Sequence, residues 1–358
     1  MKKVNSTIAL LLLLASVLGS LSSARAQEKE KTTTEKPKLN VAVLNFKGTE
    51  VIDYAGPMAV FAQYSQSRLH HNIYTVAEKV EPISTSSLTV MPDYGFSNHP
   101  VPDVIVIPGG GGVDVRGQVN NPAVIKWIQE SAKQARYVMS ICNGAFLLAK
   151  AGLLDGQGAT TFAPMIERLR QAAPKTKVFT NKRFVDNGKV ITSAGLSAGI
   201  EAALHIVERI HGRGWAQAVA LNMEYNWRPE SEYARADLAD MRLPGSIYEP
   251  FYRDADPLVA DGGRDDWEEQ WMIRTTASAA EMLEKINAKW AAEAGWSRLE
   301  AKKEPGATRS AWKLTDEQGK TWNGVVSVEP VAGERDRLML TLKIARDSGQ
   351  GAASNGKT

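Results

Sequence analysis

The sequence holds one cysteine in 358 residues. A lone thiol forms no internal disulfide and no multi-cysteine zinc or iron–sulfur site. Histidine is nearly as scarce: among the five present, His70, His71, His99 and His211 show no metal-ligand spacing. No metal and no cofactor are expected. Charge of one sign is lacking as well. Basic residues number 43 and acidic ones 40, and the excess sits in the first 26 residues, which hold Lys2, Lys3 and Arg25 but no acid. The remainder carries 40 of each, so bulk electrostatics drives it toward neither nucleic acid nor anionic lipid. Long apolar runs are missing too. Residues 8–18 are mostly apolar but too short to span a bilayer comfortably. There is no internal repeat. What remains is an ordinary globular mixture, 43% hydrophobic and 23% charged. At roughly 100–200 residues per domain, it makes one large domain plus a smaller one, or two.

The first 26 residues read as an export signal. Lys2 and Lys3 precede the apolar stretch 8–18, and Ala24-Arg25-Ala26 is a small-x-small cleavage site. The expectation is an exported protein, periplasmic or secreted, with no stable membrane anchor after cleavage. Residues 27–38 are polar and Thr/Lys/Glu-rich, a solvated linker. In an oxidising compartment a single thiol is a liability unless it is buried or used.

Residues 39–227 alternate short apolar runs with amphipathic stretches. VAVL (41–44), VIVI (104–107) and YVMSI (137–141) are nearly continuous, as in strands of a parallel sheet buried on both faces. Helices are expected at 57–67, 122–135, 144–151 and 164–172, with Pro57, Pro122 and Pro164 suiting first-turn positions. Residues 182–193 read as a hairpin turning at Asp186-Asn187-Gly188, and helices at 197–211 and 215–225 close a doubly wound α/β unit. Residues 228–266, rich in Pro, Gly, Asp and Tyr, read as a connector that wraps a domain surface. Residues 267–346 change character. A strand at 271–274 and a helix at 278–294 with a Ser278/Glu281 capping box precede strand-like stretches at 297–302, 309–314, 321–328 and 338–344. This is a small α+β module, followed by a loose tail at 347–358. Six of the nine tryptophans (Trp267, Trp271, Trp290, Trp296, Trp312, Trp322) fall in it. A core role is favoured over a ligand platform, with Trp312 and Trp322 placed to pair across strands.

Three segments point to chemistry. In 137–152 a buried strand ends at Ile141, Cys142 stands on the turn, and a helix begins near Gly144. Such a nucleophile elbow lifts a side chain out of the sheet. The helix N-terminus there favours thiolate, and Gly144 keeps the approach to the sulfur open. The plainer alternative is a buried, inert cysteine. Pro108 and Gly109–Gly112 follow VIVI directly. The backbone N–H of Gly110, paired with that of Asn143, would make an oxyanion hole, unless the glycines are merely a flexible turn. No Gly-Lys-Ser/Thr follows, so this is not a phosphate loop. After the first strand, Asp53 would place a carboxyl at the same sheet edge, or would simply cap a helix. His205 shares a polar helix face with Glu201 and Glu208 and reads as structural rather than catalytic.

Taken together, IDYAGP (52–57), DVIVIPGG (103–110), SICNGAFLLAKAGLLDGQGATT (140–161) and RFVDNGKVITSAGLSAGIEAALHIVE (183–208) resemble the ThiJ/PfpI superfamily. The nearest branch holds isonitrile hydratase and the amidase-like half of AraC-type regulators. The resemblance covers about residues 39–227 and implies a flavodoxin-like fold, usually dimeric. It carries the nucleophile onto Cys142, the acidic partner onto Asp53 and the oxyanion amides onto Gly110 and Asn143. This chain departs from the pattern in two places. Phe162 stands where many relatives have histidine, so no Cys–His pair assembles there, and Asn143 replaces the threonine usual in isonitrile-hydratase-like members. Amidotransferase or protease chemistry with a histidine base is therefore not expected. A cysteine with a carboxyl partner remains workable. The AraC-type relatives carry a helix-turn-helix array after this domain, where this chain has a strand-rich module. A small-molecule partner, no nucleic acid and a homodimer are expected. The leading expectation is a cysteine-dependent hydratase or hydrolase acting on a small electrophilic carbon. The alternative is a ligand-binding or thiol redox-sensing module of the same fold.

Overall fold

The computed structural model describes residues 39–66, 71–231, 233–293, 295–299 and 308–347. The expected export signal and linker, His70 and the expected tail beyond 347 lie outside these. The first body is a seven-stranded sheet between helices. Its strands are β1 (Asn40–Leu44), β2 (Asn72–Ala77), β3 (Tyr94–Gly95), β4 (Val104–Ile107), β5 (Tyr137–Ile141), β6 (Phe184–Asp186) and β7 (Val190–Ser193). They run in the order β6-β7-β5-β4-β1-β2-β3, all parallel except the β6/β7 hairpin. Helices α1 (Val51–Gln66), α6 (Ser197–His211) and α7 (Arg213–Asn222) cover one face. The other face carries α2 (Gly112–Val119), α3 (Pro122–Gln134), α4 (Ala145–Lys150) and α5 (Ile166–Ala172). Every residue of β4 is buried. Val104 and Val106 face Phe61 and Leu204, while Ile105 and Ile107 face Trp127 and Leu147. Covering both faces is why these strands read as unbroken apolar runs, each such side chain contributing roughly 1.5–3 kcal/mol.

The elements that departed from expectation have identifiable causes. β2 alternates half-buried and buried residues because it lies next to the short edge strand β3, so it carries no continuous apolar run. Helix α1 begins at Val51, six residues before Pro57, which therefore lies inside the helix and not in its first turn. The cost is the N–H that would have reached the Asp53 carbonyl. No helix among the described residues is long and apolar enough to cross a membrane.

The second body is a separate antiparallel sheet. Its strands are β8 (Ala255–Gly262), β9 (Asp266–Arg274), β10 (Trp296–Arg298), β11 (Arg309–Thr315), β12 (Thr321–Pro330) and β13 (Arg337–Arg346), in the order β8-β9-β13-β12-β11-β10. One helix, α8 (Ala279–Ala291), packs on it, opened by the Ser278/Glu281 capping box. Trp290 stacks on Trp312 with centroids 5.3 Å apart and planes 4° apart, and with Trp296 and Trp322 they are core. Trp312 and Trp322 do not pair directly: Trp312 faces Gly324 and Trp322 faces Leu314 across the ladder. The connector is shorter than the sequence implied, because β8 falls inside 228–266. As an edge strand, β8 is mostly exposed and shows no apolar period. The remainder packs on the module. Ala239, Leu243, Ile247 and Phe251 enter its core, and the buried Glu269 carboxylate accepts from Tyr248 Oη and from the Trp267 and Trp271 indoles at 3.0–3.1 Å.

Candidate functional site

The carboxyl ends of β1, β4 and β5 converge on one small volume. Cys142 follows β5 directly and has φ 56°, a left-handed conformation costly for a residue with a side chain. A single 3₁₀ turn (Cys142–Gly144) leads into α4, which has only six residues. Gly144 is obligatory, though for packing and not for access to sulfur. A Cβ there would lie 2.4 Å from the Ile107 carbonyl oxygen and 2.8 Å from that of Pro108. Gly109 is the more telling glycine. A Cβ on it would meet Asn143 Oδ1 at 2.3 Å, Cys142 Cβ at 2.7 Å and Asp53 Oδ2 at 2.9 Å. The backbone of the glycine turn is thus pressed against three of the residues singled out from the sequence.

Asp53 lies in the first turn of α1 and is fully buried. It does not cap that helix. Its Oδ1 accepts the Leu196 N–H at 2.9 Å and its Oδ2 accepts the Gly109 N–H at 3.1 Å. Burial pushes its carboxyl up to about 6, against the lowering effect of those two donors. The Cys142 thiol is in hydrogen-bonding contact with this carboxyl and is itself only 8% exposed. Burial first, and the Asp53 charge second, push the thiol far above the ordinary cysteine range, while the Asn143 N–H pulls the other way. The ionised thiol expected at a helix N-terminus is therefore opposed by its surroundings. A six-residue helix has little dipole to offer, and desolvation beside a carboxylate outweighs it. Burial and the adjacent carboxylate both favour the protonated thiol.

Gly110 departs from its expected role. Its N–H donates to Asn143 Oδ1 at 2.9 Å, and Asn143 Nδ2 donates to the Gly110 carbonyl at 2.9 Å. This reciprocal clamp occupies the amide that the sequence suggested for an oxyanion hole. The turn is further laced to the loop after β1 by Glu50 N–H to Gly109 O and Gly111 N–H to Gly48 O, both 3.0 Å. Two contributors carried no role in the sequence reading, although both lie in the quoted motifs. Thr161, fully buried, donates its hydroxyl to the Cys142 carbonyl at 2.7 Å. Leu196, at φ 48° and 44% exposed, supplies the amide that holds Asp53. Phe162, beside Thr161, is 37% exposed.

The histidines lie with other partners. His205 Nε2 is 2.8 Å from Asp186 Oδ2, which Arg209 also grips at 2.6 Å, so this group ties the β6 hairpin to α6. His99 accepts from the Trp127 indole at 2.8 Å. Among the described residues no group of three or more His, Cys, Asp or Glu is placed to hold a metal ion.

Comparison with known proteins locates this arrangement. The model of the DJ-1/PfpI family matches residues 39–209. The isonitrile hydratase of Pseudomonas putida is 32% identical over 205 residues, covering 56% of this chain and 85% of that protein. The HTH-type transcriptional regulator GbdR of Pseudomonas aeruginosa is 30% identical over 159 residues, 44% of this chain but 42% of that protein. The crystal structure of a ThiJ/PfpI family protein from Pseudomonas syringae superposes with a TM-score of 0.50 at 25% identity, over 57% of this chain and 81% of that one.

Proposed function

The chain belongs to the DJ-1/PfpI family, and we propose that within it this protein is a cysteine-dependent hydratase of a small electrophilic carbon, with an isonitrile as the leading substrate. One observation carries the reading: a fully buried carboxyl, poised near 6, touches the thiol on the strained elbow. A base beside a protonated nucleophile is the arrangement that makes a thiolate at the moment of attack. Asp53 takes the Cys142 proton as sulfur bonds to the terminal isonitrile carbon. The same proton passes from Asp53 to that carbon, leaving a thioimidate. Water then adds its oxygen to the carbon, and its proton reaches nitrogen through Asp53. The hydroxyl proton returns to sulfur as the carbon–sulfur bond breaks, releasing an N-substituted formamide. The Asn143 N–H, already directed at sulfur, is the amide left to steady developing charge.

The test is turnover of a panel of isonitriles, simple amides and dicarbonyls by the full chain beside Cys142→Ser and Asp53→Asn. Turnover that survives Cys142→Ser would remove the proposal. A second reading, ligand binding or thiol sensing without turnover, draws on regulators among the relatives and on the engaged Gly110 amide. Mild peroxide followed by mass spectrometry separates the two. A stable, reducible sulfenic state in a protein that turns over nothing favours sensing. The proposal places the protein outside the cytoplasm as a homodimer, without nucleic acid. Its supports are the signal-like residues 1–26 and the charge balance of the remainder. A mature N-terminus at Gln27 and a dimer mass by light scattering are the checks.

A further inference from the structure

Behind the elbow lies a slot of about 190 Å³ that the mechanism above does not use. Val115 and Val119 of α2, Phe146 of α4 and Met165 form its apolar wall, and the buried Asn143 lines it as well. Two guanidiniums, Arg116 and Arg168, line it as well, and neither forms an ion pair among the described residues. No acid lines the slot. The neighbouring carboxylates are turned elsewhere: Asp114 packs against Gly48 and Gly111, and Glu167 pairs with Arg170. The slot thus combines an apolar wall with two solvent-exposed guanidiniums and no acid among its lining residues. Guanidinium forks match carboxylates. A cavity of about 150 Å³ suffices for benzene, so this one takes a single ring or a short chain.

We propose that this slot is a second ligand site, for a small carboxylate with an aryl or short alkyl body. The carboxylate lies between Arg116 and Arg168 and the apolar body lies along Val115, Val119 and Phe146. Its occupant touches Asn143, the residue that clamps the glycine turn and follows the thiol. Met165, in the turn Ala163–Met165, also links the slot to the connector, since that turn approaches Arg235–Asp237 within 8 Å between Cα atoms.

The experiment is calorimetric titration of the full chain with benzoate, with benzyl alcohol and inorganic phosphate as comparison probes. Two variants accompany it. Arg116→Gln with Arg168→Gln removes the charge. Gly112→Leu fills the mouth, where a Cβ meets nothing nearer than the Met165 methyl at 4.0 Å. The expected result is saturable benzoate binding, weakened about tenfold or more in the double glutamine variant and lost in Gly112→Leu with the circular dichroism spectrum retained. Absence of benzoate binding, equal binding of benzyl alcohol or phosphate, or unchanged affinity in either variant would overturn the proposal. None of these readouts depends on isonitrile turnover.

Discussion

Replacing Asp53 by asparagine separates the thiol's ionisation from its catalysis. In the native pair burial and the adjacent carboxylate both push the thiol's pKa up. Asparagine keeps the shape and removes the charge. Two unit charges about 4 Å apart interact by about 4 kcal/mol at an effective dielectric of about 20. Part of that survives as the amide dipole, so the thiol's midpoint should fall. Iodoacetamide labelling of Cys142 between pH 6 and 10 should therefore be faster in Asp53→Asn than in the native protein. Turnover should move the other way, falling by about 10²–10⁴-fold with the loss of the group that handles the proton. Stability should fall as well. The two carboxylate oxygens accept from Leu196 and Gly109, and an asparagine must turn its NH₂ toward one of those N–H groups. The unpaired donors cost about 1–3 kcal/mol. Labelling of Cys142 that is no faster in Asp53→Asn than in the native protein across that range would refute the coupling on which the mechanism rests.

Three further outcomes are expected. Gly109→Ala forces a methyl to 2.3 Å from Asn143 Oδ1, so it should break the Asn143–Gly110 clamp and lower stability by about 1–3 kcal/mol in denaturant titration. Thr161→Val removes the 2.7 Å bond to the Cys142 carbonyl, and Thr161→Ser should restore what valine loses in Cys142 labelling rate, with a stability cost for valine of about 1–3 kcal/mol. Stability against pH should show two opposed limbs. The Asp53 carboxyl is raised from 3.8 to about 6, so the folded state binds the extra proton and stability falls as pH climbs between them. His71, lowered by burial from 6.5 to about 4, binds its proton better when unfolded, so its contribution is lost as pH drops across that window. Thermal midpoints of His71→Gln and Asp53→Asn between pH 4 and 6.5 should each flatten the corresponding limb.

Residues whose burial follows from their own run of neighbours were legible in the sequence. VIVI and YVMSI announced strands covered on both faces, Ser197–His211 appeared as a helix to the residue, and the Ser278/Glu281 box marked where α8 begins. The family motifs likewise named Cys142, Asp53, Asn143 and the glycine turn, which the fold gathers at adjacent strand ends. Strands at or next to a sheet edge were not legible: β8 is an edge strand and β2 lies beside one, so neither packs on enough to impose a period on its residues.

What chain-local pattern cannot express is which groups meet across it, and the chemistry of the site depends on such meetings. The amide that holds Asp53 comes from Leu196, 143 residues away, and the hydroxyl that braces Cys142 comes from Thr161, 19 residues on. The forces acting on the thiol's proton were not legible in the sequence for the same reason. A helix start can be read locally, whereas desolvation and a neighbouring carboxylate exist only once distant strands have closed around the sulfur. Sequence periodicity therefore determined the layers and the candidate residues, and tertiary closure decided which donors are spent, which remain, and what surrounds the thiol.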